Sequence, residues 1–342
     1  MSKEMRKWVM SGYGRSNLAL AKTAIPQPGQ GEILIRVSAV SLNYRDKLVI
    51  EQGMGMQLDF PFTPGSDLAG TVEQTGPGVT RFQKGDRVAS TFIADWIDGN
   101  RRDALIGIYS PSLGAPLPGV LAEYVVLSEE WAVRMPESLD PLESSTLPVA
   151  GLTAWFALVE LGHLAANETV VVQGTGGVAL FGVQFAAAHG AEVIVTSSSD
   201  EKLERVKALG ASHGINRRRI TDWSAEVQRI TGGRGAEHLL EVAAGDLTQS
   251  GQAMRPGGRI SAIGLIDAAE YRIPALPLLI KHIVVQGISV GHRRAFEDMN
   301  RAIDRLRIKP VIDKVYDFAS LPAALDHLER GAFGKVVIRV AD

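Results

Sequence analysis

Apolar positions change their spacing once along this chain, and the change divides it in two. From residue 7 to about residue 127 they fall in short runs broken by turn signals, among them Pro26-Gln27-Pro28-Gly29, Gly76-Pro77-Gly78 and Lys84-Gly85-Asp86. That texture predicts a coiled antiparallel module of short strands. Residues 32–43 and 69–75 suit strands, and a helix is expected to start near Tyr44. Residues 95–118 carry Gly99, Gly107, Gly114 and three prolines, and read as a long irregular loop. After Pro136 the spacing turns helical, at 142–147 and 150–161.

From Thr169 onward strands alternate with helices. Apolar, β-branched runs predict strands near 170–172, 192–196, 213–215, 237–243, 259–264 and 282–290, with helices at 201–209, 222–231 and 246–254 between them. Six such strands make a complete doubly wound dinucleotide-binding fold. Amphipathic helices at 296–306 and 321–330 and a closing strand at 335–340 are expected to return to the first module. The expected class is therefore α/β: a β-rich domain over 1–149, completed by 291–342, and a doubly wound domain over 150–290.

The turn after the first of these strands carries chemistry. Val170, Val171 and Val172 suit a strand buried on both faces, and Gly174-Thr175-Gly176-Gly177-Val178-Ala179 follows at once. Gly174 permits a tight turn, Gly176 lets a pyrophosphate approach the backbone, and Ala179 takes the third small position, where helix packs on strand. The helix that follows points its first N–H groups at phosphate. At the end of the next strand, about 20 residues on, stand Ser197, Ser198 and Ser199. An acidic residue there would accept from a ribose 2′-hydroxyl and repel a 2′-phosphate. Serines favour NADP(H) over NAD(H), unless they only cap the helix starting near Glu201.

The chain's 342 residues include 45% hydrophobic and 22% charged, the balance of a soluble protein long enough for two domains. A formal net charge of -2 excludes a basic nucleic-acid surface, and Arg217-Arg218-Arg219 is too short to make one. There are no cysteines, which excludes disulfides and thiolate zinc sites and fits a cytoplasmic protein. No 18-residue apolar run occurs and the first ten residues lack a long apolar core, so neither a signal peptide nor a membrane span is expected. The apolar run 282–290, with Ile283, Val284, Val285, Ile288 and Val290, would be hazardous as an open sheet edge, and a homodimer paired through it is expected.

Several motifs together carry a family resemblance over nearly the whole chain: Asn43-Tyr44-Arg45-Asp46, Pro61-Phe62-Thr63-Pro64-Gly65-Ser66-Asp67-Leu68-Ala69-Gly70, Lys84-Gly85-Asp86-Arg87-Val88, Leu121-Ala122-Glu123-Tyr124, Gly174 to Ala179, and Gly334-Lys335-Val336-Val337. With these the chain resembles the medium-chain dehydrogenase/reductase superfamily, and within it the zinc-free quinone oxidoreductase branch, to which zeta-crystallin belongs. The resemblance implies a GroES-like catalytic domain joined to a Rossmann domain. By motif position the zinc ligands of metal-dependent relatives fall on Asn43, Ser66 and near Val149, whose amide, hydroxyl and isopropyl groups cannot hold zinc as a set. No metal is expected.

Without a metal, charge on a substrate oxygen must be met by hydrogen-bond donors. Asn43 and Tyr44 are the catalytic candidates, the amide to grip a carbonyl and the hydroxyl to donate to it or relay a proton; an ordinary turn with a packed aromatic is the plainer reading. Arg45 and Asp46 read as an ion pair or cap, and Ser66 and Asp67 as lining of the empty metal pocket or partners of backbone donors. The resemblance places Thr153 near the nicotinamide, Lys202 and Arg217 near the adenosine, Gly264, Leu265 and Val290 along the carboxamide, and Lys335 at the pyrophosphate. These readings imply an NADPH-dependent reductase of a small quinone or activated alkene. A zinc-free alcohol or carbonyl oxidoreductase, and a cofactor-binding structural protein of the crystallin kind, are the alternatives.

Overall fold

The strand Glu32–Leu42 organises the first half of the protein. Its sequence EILIRVSAVSL does not alternate cleanly, and Ile33, Ile35, Val37, Ala39 and Val40 are all fully buried, as expected of a strand covered on both faces. Three strands pair with it, all antiparallel: Asp67–Thr75, Tyr124–Ser128 and Lys335–Arg339. The computed structural model describes residues 4–100, 109–264 and 270–341. Its two units are Met1–Leu152 with Val290–Asp342, and Thr153–Ser289.

In the first unit a seven-stranded sheet runs Ile312–Asp317, Lys335–Arg339, Glu32–Leu42, Asp67–Thr75, Arg87–Ser90, Ala132–Arg134, with Tyr124–Ser128 also on the long strand. The C-terminal strand thus lies inside this sheet, between Ile312–Asp317 and the long strand, and the remaining strands all come from the first 134 residues. A pair of short strands, Glu4–Met10 and Leu18–Ala24, stands beside it. Both chain directions are needed to fill one core, in which Ile35, Leu68 and Val72 pack with Leu325, Val336 and Ile338. Helix Tyr44–Gln52 starts where the long strand ends and stops at Gly53, in the left-handed region at φ 68.

The second unit is a six-stranded parallel sheet in the order His213–Asn216, Glu192–Ser197, Thr169–Gln173, Ala236–Glu241, Met254–Ala262, Val284–Gly287. In chain order these are the third, second, first, fourth, fifth and sixth strands, the doubly wound dinucleotide arrangement. Val170, Val171 and Val172 are fully buried, and so are Val193, Ile194 and Val195 next to them. Helix Gly177–Ala188 is apolar almost throughout and buries Leu180, Phe181, Val183 and Phe185.

Three elements depart from the pattern-based expectation. The segment 150–161 is not one α-helix: π-helical turns at Leu147–Gly151 and Phe156–Glu160 flank a single α-turn, Leu152–Trp155. Arg255-Pro256-Gly257-Gly258 does not precede the fifth strand but forms an excursion within it, since Ala236 pairs with Met254 and His238 next pairs with Arg259. The last strand is shorter than 282–290, covering Val284–Gly287, because His282 turns into the left-handed region at φ 51. Ile283, Ile288 and Val290 are buried, so of the expected edge residues only Val284 and Val285 are exposed. No helix among the described residues is long and apolar enough to cross a membrane.

Candidate active site

At the C-terminal end of the strand Glu32–Leu42 the chain turns into helix Tyr44–Gln52, and Asn43 is the residue between them. Its backbone N–H donates to Asp46 Oδ2 at 2.8 Å, half of a capping box. The side chain is engaged at both ends. Lys335 Nζ donates to Asn43 Oδ1 at 2.6 Å and to Leu42 O at 2.8 Å, while Asn43 Nδ2 donates to Asp67 Oδ2 at 2.9 Å. Val149 N–H also donates to Asp67 Oδ2, at 3.3 Å. An ammonium on one side and a carboxylate on the other leave only one orientation of the amide that satisfies both.

Sheet register explains the convergence. Val336 pairs with Leu42 and Asp67 with Ser41, so Lys335 and Asp67 reach Asn43 from the two strands flanking its own. Ser66 Oγ donates to Asp46 Oδ1 at 2.7 Å. The Arg45 guanidinium contacts Ser66 Oγ at 3.3 Å, Ser112 Oγ at 3.3 Å and the carbonyls of Leu113 and Ala115, and lies over the Phe92 ring. Arg45 is thus a pin for the segment 112–115 rather than an ion-pair partner of Asp46, and Asp46 is the cap. Tyr44 is half-buried, with Lys47 Nζ 5.5 Å from its ring centroid, and its hydroxyl has no hydrogen-bond partner among the described residues.

Burial governs the charges here. Asp46, Ser66 and Asp67 are fully buried and Lys335 is 3% exposed. Loss of hydration pushes the Asp67 carboxyl up to about 7, against the attraction of Lys335, and raises Asp46 as well. The same loss lowers Lys335, against the attraction of Asp67 and Asp46. Asp67 Oδ1 is buried without a hydrogen-bond partner among the described residues.

These residues do not fit a zinc ion. Of the three motif positions, Asn43 has committed its amide, Ser66 donates its hydroxyl to Asp46, and Val149 offers only an alkyl side chain. The Lys335 ammonium bonded to Asn43 opposes a dication further. Among the described residues no group of three or more histidine, cysteine or carboxylate side chains could hold a metal. Lys335, expected at the pyrophosphate, is instead committed to Leu42 and Asn43, and Ser66 is a fully buried partner of Asp46 rather than the lining of a pocket.

The second unit carries the glycine turn. Gly174 sits in the left-handed region at φ 77, and a Cβ on Gly176 would meet nothing within 4 Å, so that face of the turn is open. No side chain caps helix Gly177–Ala188, and among the described residues the N–H groups at Gly177 and Val178, next to the buried Thr175, have no side-chain acceptor. Such a turn fits a pyrophosphate. Helix packs closely on strand at Gly182 also, about one turn beyond Ala179: a Cβ there would lie 2.4 Å from Leu240 Cδ1.

Around the second strand's end Ser197, Ser199, Lys202 and Arg217 are drawn together. Ser199 N–H donates to Ser197 Oγ at 3.3 Å, Lys202 N–H to Ser199 Oγ at 3.3 Å, and Arg217 N–H to Ser197 O at 2.9 Å. Ser199 is therefore the cap of helix Asp200–Lys207, Ser197 is 4% exposed, and Ser198 and Arg217 are exposed. Thr153, 3% exposed, opens the unit. Gly264 lies where a Cβ would be 1.5 Å from Val242 O, a position only glycine fills. Val290 is buried with φ 61 in the first unit, and Leu265 lies outside the described residues.

One buried group beside the glycine turn escapes a pattern-based reading. Glu241, 2% exposed, accepts from Gln173 Nε2 at 2.7 Å, Ser250 Oγ at 2.8 Å and Ala243 N–H at 3.3 Å, and burial raises its carboxyl. It ties together the ends of the first and fourth strands. Polar residues closing otherwise apolar strands are the signal that could have found it.

Comparison with known proteins agrees with both units. Residues 29–137 match the alcohol dehydrogenase GroES-like domain, and residues 177–306 match the zinc-binding dehydrogenase domain. A zinc-type alcohol dehydrogenase-like protein of Schizosaccharomyces pombe is 38% identical, with 92% of this chain and 93% of that protein aligned. The quinone oxidoreductase of Sus scrofa is 26% identical over 92% of this chain and 91% of its own. A crystal structure from Sinorhizobium meliloti 1021, provisionally described as an alcohol dehydrogenase, superposes with a TM-score of 0.95 at 58% identity, covering 99% of this chain and 100% of that one.

Proposed function

The chain belongs to the medium-chain dehydrogenase/reductase superfamily and is an oxidoreductase of that type, and from this premise we propose that it is a zinc-independent, NADPH-dependent reductase of a small quinone or enone. The observation that carries the proposal is the ammonium, amide and carboxyl chain of Lys335, Asn43 and Asp67 at the place where relatives by motif bind zinc. The nicotinamide, when bound, supplies hydride. Gly174, Thr175, Gly176, Gly177 and Val178 would hold its pyrophosphate, Ser197, Ser198, Ser199, Lys202 and Arg217 a 2′-phosphate, and Thr153 and Gly264 of the same unit the nicotinamide end.

What this chain's own residues do favours conjugate reduction. Hydride arriving at the β-carbon of an enone, or on a quinone, moves an electron pair onto oxygen as an enolate or phenolate, which takes up a proton to complete the product. Such an oxygen is less basic than the alkoxide formed from a simple ketone. Neutral donors such as the Asn43 amide and the Tyr44 hydroxyl can hold it until a proton arrives from Tyr44 or water. The names of several relatives, one of them a zinc-type alcohol dehydrogenase-like protein, favour a second reading as an alcohol or carbonyl oxidoreductase, which the Asn43, Ser66 and Val149 positions would make zinc-free in this chain.

Elemental analysis of the purified protein is expected to find substoichiometric zinc, and NADPH-dependent reduction of an enone should survive dialysis against a chelator. Stoichiometric zinc, lost together with activity, contradicts the proposal.

A homodimer is proposed on the edge strand Val284–Gly287. Val284 and Val285 are about 40% and 39% exposed, and Leu276, Leu279 and Ile280 of the neighbouring helix Ala275–Ile280 are 67%, 68% and 67% exposed. An uncovered edge of this kind invites pairing, and a two-fold axis would close it. Light scattering at micromolar concentration should give twice the chain mass, and Leu279→Glu combined with Val285→Lys should give monomer. A monomeric unaltered protein contradicts this.

A further inference from the structure

The geometry points to Lys335 and Asp67 as positioning residues that hold the Asn43 amide in one orientation and turn its second Nδ2–H toward the substrate oxygen. The inference deepens the proposed function and rests on it. The Asn43 side chain has three hydrogen-bonding groups relevant here. Its Oδ1 is taken by the Lys335 ammonium at 2.6 Å, and one Nδ2 hydrogen is taken by Asp67 Oδ2 at 2.9 Å. The other Nδ2 hydrogen has no acceptor among the described residues, and Asn43, at 8%, is the most exposed of the three.

Neither neighbour reaches solvent, so neither can touch substrate in this arrangement; each acts through the amide. Lys335 draws electron density toward Oδ1 and the Asp67 oxygen fixes the Nδ2 plane, so the remaining N–H is both aimed and strengthened as a donor. Chains of hydrogen bonds polarise one another in a dry setting. A buried positive charge thus stands one amide away from the oxygen that becomes negative. Zinc is not needed to bring it there.

The test is a set of variants read two ways: turnover of an enone with NADPH, and binding of p-nitrophenolate, an oxyanion mimic of a reduced quinone, to the NADP+ complex. Lys335→Met keeps most of the side chain's length and removes its charge. It is expected to weaken p-nitrophenolate binding about tenfold, which corresponds to roughly 1.4 kcal/mol, and to lower kcat by at least as much, with the NADPH dissociation constant nearly unchanged. In an Asn43→Ala background the same change should add little, because the two residues act through one amide.

A rise in the NADPH dissociation constant with unchanged p-nitrophenolate binding would overturn the inference and return Lys335 to the pyrophosphate. Additive losses in the double variant, accompanied by a lowered thermal midpoint in Lys335→Met alone, would also overturn it in favour of a merely structural role. If the unaltered protein reduces no enone or quinone, the proposed function fails, while the binding comparison still decides the role of Lys335.

Discussion

Asn43→Ala is expected to lower turnover of an enone or quinone by about 10²–10³, the usual cost of losing one donor to a developing oxyanion, with NADPH affinity nearly intact. The residue sits in the first unit, and the glycine turn that would hold the cofactor sits in the second, built from other strands. The substitution also strips a partner from Lys335 and from Asp67, both buried, so a loss of stability of about 1–3 kcal/mol should accompany it. Steady-state kinetics below the thermal midpoint separates the two effects. Turnover within a few fold of the unaltered protein would remove Asn43 from the chemistry.

Ser197→Asp should reverse the cofactor preference. Ser197 Oγ accepts from Ser199 N–H, a bond that an aspartate can keep. The new carboxylate would face a 2′-phosphate with like charge, which costs several kcal/mol, or about 10²–10³ in affinity for NADPH. Toward NADH it offers an acceptor for the ribose 2′-hydroxyl. Calorimetric titration of both cofactors against both proteins measures this. A tighter NADH complex in the unaltered protein would mean that the serines serve the helix cap, as Ser199 does.

The dinucleotide half was legible because its signals are local. A run of three valines, a glycine turn and an apolar helix follow one another within 20 residues in the chain, and each dictates its own conformation. The polar cluster was legible only in part. Asn43 and Asp46 lie at one helix start, and capping chemistry joins them. Lys335 is 292 positions away from Asn43, and only the pairing of the C-terminal strand against the long central strand brings them together. Nothing local to residue 335 records that neighbour. The edge strand shows the reverse problem: an apolar run does not say where its pairing ends, and the turn at His282 leaves Ile283 and Ile288 facing inward.

Neutral donors, with a buried ammonium behind one of them, suit a delocalised oxyanion better than an alkoxide. The measurement that tests this most directly compares kcat/KM for an enone with that for the saturated ketone of the same carbon skeleton, both with NADPH and after chelator treatment. Measurable reduction of the enone at the alkene and weak turnover of the ketone are expected. Faster turnover of the saturated ketone, or of its alcohol with NADP+, would contradict this and make the zinc-free alcohol oxidoreductase the better reading.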